Sequence, residues 1–135
     1  MNKQISVFDR QTVKRGDIYW VKFGKTVGTE IREDHPAVVV SNNWQNEKGS
    51  RVVVLPMSSK VEKIYPFDVY CGKILPNYKE SKIMCEQVKS VSKKRLVMPR
   101  AGKLPASLLA KAEVKLKKVL AFEDQIRYFL FWRDK

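Results

Sequence analysis

The sequence predicts a mainly β domain, a small twisted barrel with helical additions, and three observations carry that expectation. Short β-branched and aromatic runs recur five times, bounded by polar loops rich in turn residues. The hydrophobic period then changes from strand-like to helical after Leu104-Pro105. Finally, 135 residues suit a single domain with one real core, and short strands followed by a helix suit a closed or nearly closed sheet.

Taken in order, the first thirteen residues are mixed and polar and read as an extension or a short helix. Gly16 and Asp17 make a turn before Ile18-Tyr19-Trp20-Val21-Lys22-Phe23, a β-branched and aromatic run that reads as a strand. Residues 24–35 form a polar loop with two glycines and five charged residues, longer than an ordinary hairpin connection and so a candidate functional loop. Pro36 opens a strand through Asn42 whose continuous apolar run predicts burial on both faces. A turn over 43–50 leads to a second buried strand, Arg51 to Met57, which ends at Ser58-Ser59. After a loop from Lys60 to Tyr65, the segment Pro66 to Cys71 alternates as an edge strand should, and Lys82 to Lys89 is the fifth strand. Ser92 caps a single helical turn reaching Leu96. From Pro105 onward, Leu108, Leu109, Ala112, Leu116, Val119 and Leu120 share one helical face, opposite Lys111, Lys115 and Lys118. The aromatic-rich stretch 122–135 reads as a second helix or an interface.

Composition narrows the function. No apolar run approaches the roughly 20 residues of a membrane span, and the N-terminus lacks a signal-peptide core, so the expectation is a cytoplasmic protein without a membrane partner. Cys71 and Cys85 make neither a disulfide framework nor a metal quartet and are expected to be buried small hydrophobes. With one histidine, neither a metal site nor a cofactor is expected. Lys and Arg outnumber Asp and Glu by 27 to 14, a net charge of +13, and a field of that sign attracts polyanions such as nucleic acid. Charge alone does not separate RNA from DNA or a binder from an enzyme.

Four segments together resemble one family. Arg15-Gly16-Asp17-Ile18-Tyr19-Trp20 resembles the opening strand of the MazF/PemK toxins, and Val27-Gly28-Thr29-Glu30 their following loop. His35-Pro36-Ala37-Val38-Val39-Val40-Ser41-Asn42 is similar to their R-P-A/V-V-V-V-S-N strand, and the segment from Cys85-Glu86-Gln87-Val88-Lys89 to Arg95-Leu96 resembles their E-Q-I-R-T-I-D-K-x-R-L segment. The matches keep their order, which divides the chain into an extension (1–13), a MazF/PemK-like domain (14–121) and an aromatic-rich extension (122–135). The resemblance implies an SH3-like β-barrel of the MazF/PemK/CcdB type with a C-terminal helix. It also implies a homodimer, metal-independent cleavage of single-stranded RNA including mRNA, and a cognate antitoxin with an acidic disordered tail. The gyrase-directed CcdB toxins share the fold, but the Glu86-Gln87-Val88-Lys89 segment resembles the ribonuclease branch.

In that family an arginine before the proline and a Thr or Ser closing the next strand meet at the site. Here those positions hold His35 and Ser58, and the histidine is a departure. Arginine is a permanent bidentate phosphate clamp, whereas histidine, with an ordinary pKa of about 6.5, is a better proton carrier and a poorer fixed charge. Three readings are open: His35 acts as general acid or base, Arg32 swings in from the loop as the clamp, or turnover is lost and RNA binding remains. Glu30 is a candidate base partner to His35. Thr29, Ser59, Lys60 and Lys63 are candidate RNA contacts, and Trp20 and Phe23 are aromatic side chains able to stack on bases or to pack in the core.

Overall fold

A computed structural model describes residues 12–76 and 79–122. Seven strands run β1 (Asp17–Lys22), β2 (Asp34–Val39), β3 (Arg51–Ser58), β4 (Asp68–Gly72), β5 (Ser81–Met84), β6 (Lys89–Ser92) and β7 (Leu96–Lys103). Two α-helices join them, α1 (Asn43–Lys48) and α2 (Ala106–Leu120), with single 3-10 turns at Cys85–Gln87 and Lys93–Arg95. The sheet order is β4-β5-β3-β2-β1-β7, with β6 also on β3, and all pairings are antiparallel. The sheet curls into a barrel-like form without closing.

Strand β3 organises this curl. One edge pairs with β2 at Val54 to Pro56. The other edge takes β6 along Arg51 to Val54 and β5 at Met57 and Ser58. The single strand expected over Lys82 to Lys89 is therefore two strands. The 3-10 turn at Cys85–Gln87 breaks it, and the two halves pair with different stretches of β3. Cys85 is buried at that turn, so the break has its own anchor in the core.

Both faces of β1 to β3 are covered. On one, Ile18, Val38, Leu55, Met57 and Ile83 pack against Ala112 and the partly buried Leu108, Leu109 and Leu116 of α2. On the other, Tyr19, Val21, Ala37, Val39, Val52 and Val54 form a second cluster with Val13, Val91 and Leu96. The expected two-sided burial of the second strand holds, since Ala37, Val38 and Val39 are all fully buried. Leu120 is an exception to the apolar helix face, being largely exposed at the last turn of α2.

Two further differences from the sequence reading have local causes. The turn expected over 43–50 contains α1, capped by the Asn42 side chain accepting from the Gln45 N–H at 2.8 Å and stopped at Gly49. Asn46 is buried beneath it, donating to the Ser41 carbonyl at 2.8 Å. Strand β7 was not foreseen: its Met98-Pro99-Arg100 centre is exposed and does not alternate, yet it pairs with β1 through Asp17–Lys103 and Val21–Leu96. The Ser92 cap is present, its hydroxyl accepting from the Lys94 N–H at 3.2 Å. The expectation for 123–135 lies outside the described residues.

Candidate active site

His35 was expected at the end of a loop, and the structure puts it inside β2, one residue from the strand's start. Val21 of β1 pairs with it, while the β2–β3 ladder ends at Ala37–Pro56, two residues short of it. The His35 Nδ1 lies 3.3 Å from the Met57 carbonyl oxygen. Ser58, half-buried, pairs in turn with Lys82 of β5. His35 is thus registered to β1 and Ser58 to β5.

His35, Ser58 and Ser59 line one cavity of ≈ 210 Å³, with Trp20, Asp34 and Glu80 among its walls. The Ser58 hydroxyl oxygen accepts the Lys60 N–H at 3.1 Å, which leaves its own hydrogen free to be donated. Trp20 is 40% exposed here, available for stacking, whereas Phe23 is buried with Lys89 lying over its ring. The Tyr70 phenol donates to Glu80; this bond, ahead of slight desolvation and the carboxylate's charge, raises its pKa above the usual phenol value.

The remaining candidates are elsewhere. Thr29 and Glu30 line a separate, larger cavity of ≈ 410 Å³ with Tyr65, Asp68, Lys82, Met84, Glu86 and Gln87. The Glu30 carboxylate accepts the Val27 N–H at 2.8 Å and so closes its own loop. Arg32 folds back to donate to the Gly28 carbonyl at 2.7 Å and lines neither cavity. Lys60 is exposed beside Ser58, and Lys63 lies 5.6 Å from the Tyr65 ring centre.

The loop 24–33 is tied down. Gln87 holds it at two points, accepting the Ile31 N–H at 2.9 Å and donating to the Thr29 carbonyl at 3.0 Å. The Phe23 N–H donates to the Glu33 carbonyl and the Glu33 N–H to the Gly24 carbonyl, each at 2.9 Å, with Gly24 left-handed (φ 74°). Sequence reasoning placed Gln87 in the family motif without a role; its partners lie more than fifty residues away.

Lys82 was also missed. Its ammonium is 3.0 Å from the Asp68 carboxylate and donates to the Lys63 carbonyl at 2.8 Å, with side chains 6% and 3% exposed for Lys82 and Asp68. Among the described residues no group of three His, Cys, Asp or Glu side chains converges in a metal-holding arrangement. Both cysteines are free, and burial pushes the Cys71 thiol up to about 11 and the Cys85 thiol up to about 12.

Residues 14–120 match the family model described as PemK-like, MazF-like toxin of type II toxin-antitoxin system. The endoribonuclease MazF9 of Mycobacterium tuberculosis is 32% identical over 111 residues, covering 78% of this chain and 93% of that protein. The crystal structure of MazF from Deinococcus radiodurans matches with a TM-score of 0.73 at 22% identity, over 82% of this chain and 98% of that one. An endoribonuclease in complex with its cognate antitoxin, from a mycobacterial species, matches at 0.64 and 20% identity, over 82% and 94%. The two structures bear on the fold alone, and they agree with the expected SH3-like barrel and C-terminal helix.

Proposed function

This chain belongs to the PemK-like, MazF-like family of type II toxins, and from that premise we propose that it is a toxin endoribonuclease. It cuts single-stranded RNA without a metal at the cavity between β2 and β3. The observation that carries this reading is that His35 and Ser58, on adjacent strands, line one cavity.

The chemistry uses the substrate's own nucleophile. The 2′-OH loses its proton and its oxygen attacks the adjacent phosphorus. The bond from phosphorus to the 5′-oxygen breaks and that oxygen takes a proton, leaving a 2′,3′-cyclic phosphate and a 5′-OH. DNA lacks the 2′-OH and is spared. His35 is the proton carrier. When Nδ1–H donates to the Met57 carbonyl, Nε2 keeps its lone pair for the 2′-OH. Ser58 donates its free hydroxyl hydrogen to a phosphate oxygen as charge develops there. Arg32 would have to leave the Gly28 carbonyl to serve as a clamp.

The net charge of +13 supports a partner besides RNA, an antitoxin whose acidic disordered tail competes for the same groove; a homodimer follows from the family resemblance and not from charge. A toxin acting on mRNA works in the cytoplasm; among the described residues, no helix is long and apolar enough to cross a membrane.

The test is incubation of full-length protein with unstructured RNA in the presence of chelator, with the ends analysed. Cyclic-phosphate ends are expected, and intact RNA after prolonged incubation sinks the reading. His35→Ala is expected to reduce the rate by about 10²–10⁴-fold, the range for a positioned general acid or base. If His35→Ala is neutral while His35→Arg raises the rate, His35 is a stand-in for arginine and not a proton carrier.

A further inference from the structure

We propose that the larger cavity beside the catalytic cavity is a guanine pocket, with Lys82 and the carboxylate of Glu86 as its readers. This rests on the ribonuclease reading for its biological meaning, but binding tests it separately.

The cavity belongs to the same site. Lys82 of β5 pairs with Ser58 of β3, and β3 pairs with β2, so its strand lies two strand spacings, roughly 10 Å, from that of His35. That separation lets a nucleotide neighbouring the scissile bond reach the cavity. The walls decide what enters. Asp68 is paired with Lys82 and Glu30 is bonded within its own loop, which leaves the exposed Glu86, among the described residues, as the unpaired carboxylate of the wall. An acceptor of that kind suits a neutral group that offers hydrogen-bond donors.

Among the bases, guanine alone presents two adjacent donors, N1–H and the N2 amino group, and a carboxylate receives both in parallel. Guanine also offers O6 and N7 as acceptors, which lysine characteristically reads. Lys82 has three N–H donors, of which Asp68 and the Lys63 carbonyl take two; the third lies on the side of the Tyr65 ring, whose centre is 5.1 Å from the ammonium nitrogen, where a stacked base would bring that edge. Cytosine and adenine offer one amino group each, and uracil offers one N–H between two carbonyls that face carboxylates. Tyr65, half-exposed, adds an aromatic wall. The pocket is built before RNA arrives: the buried Lys82–Asp68 pair fixes its floor, and Gln87 holds the Thr29–Ile31 rim.

The experiment measures binding of full-length protein to uncleavable 2′-O-methyl oligonucleotides. Each is all uracil except for one central guanine, inosine, adenine or cytosine. Guanine is expected to bind about tenfold or more tightly than the other natural bases, with inosine, which lacks the N2 amino group, in between. Glu86→Gln, at an exposed position, is expected to bring guanine and inosine together, and Lys82→Met to reduce the remaining guanine preference. Equal binding of all oligonucleotides overturns the proposal. So does a guanine preference that Glu86→Gln leaves intact, which holds even where Lys82→Met fails to fold. A guanine preference in a protein that cuts no RNA supports the pocket and sinks the ribonuclease reading.

Discussion

Replacing Lys82 by methionine removes the counterion of a carboxylate that is almost entirely buried. The two side chains are 6% and 3% exposed and 3.0 Å apart, so solvent does not take over the lysine's role. Breaking a buried pair from one side costs about 3–5 kcal/mol, because a buried charge is left behind. Loss of the bond to the Lys63 carbonyl is about 1 kcal/mol of that. Asp68 keeps the Tyr65 N–H at 2.8 Å, which places the expected loss near the lower end, about 3 kcal/mol. For a domain of this size that lowers Tm by about 12 °C and removes a large part of a stability of about 5–15 kcal/mol. Asp68→Asn alone is expected to be similarly damaging. The double replacement removes both charges and is expected to be milder than the sum of the single ones by about 2 kcal/mol or more. Urea unfolding of the four proteins, followed by tryptophan fluorescence, measures the cycle. A Lys82→Met protein within about 1 kcal/mol of the parent, or a strictly additive cycle, refutes the reasoning that this pair is a coupled unit at the floor of the cavity.

Two more expectations follow from the same geometry. Gln87→Ala removes both side-chain bonds to the 24–33 loop, about 1 kcal/mol each; faster amide exchange at Ile31 is expected, and unchanged exchange there refutes the clamp. The thiols of Cys71 and Cys85, raised by burial to about 11 and about 12, hold little thiolate near pH 8. Alkylation of the folded protein is therefore expected to be slower than that of a free thiol by on the order of 100-fold or more. The sign for stability is also fixed. The unfolded thiols lose protons near pH 9 while the folded ones keep them, so stability falls as pH rises past about 9. Rapid labelling of native protein at pH 8 refutes this burial.

The sequence by itself determined the β-rich class, the buried β2 and β3 cores, the α2 helix and the family, because these rest on local chemistry. Ala37-Val38-Val39 is apolar at every position and so must be covered on both sides; Leu108, Leu109, Ala112 and Leu116 recur at helical spacing. It also singled out His35 and Ser58, which line one cavity. Local pattern could not supply β7, whose exposed Met98-Pro99-Arg100 centre carries no alternation and is a strand only because β1 offers it an edge. Nor could it divide Lys82–Lys89 between two partners on β3, a consequence of the sheet's curl. The tertiary structure alone moved Glu30 away from His35 into another cavity and folded Arg32 onto its own loop. It also selected Lys82, one of 27 Lys and Arg residues, for burial against Asp68. Charged side chains carry no periodic signal of their neighbours, so which lysine is solvated and which is a reader is decided only when the strands are paired.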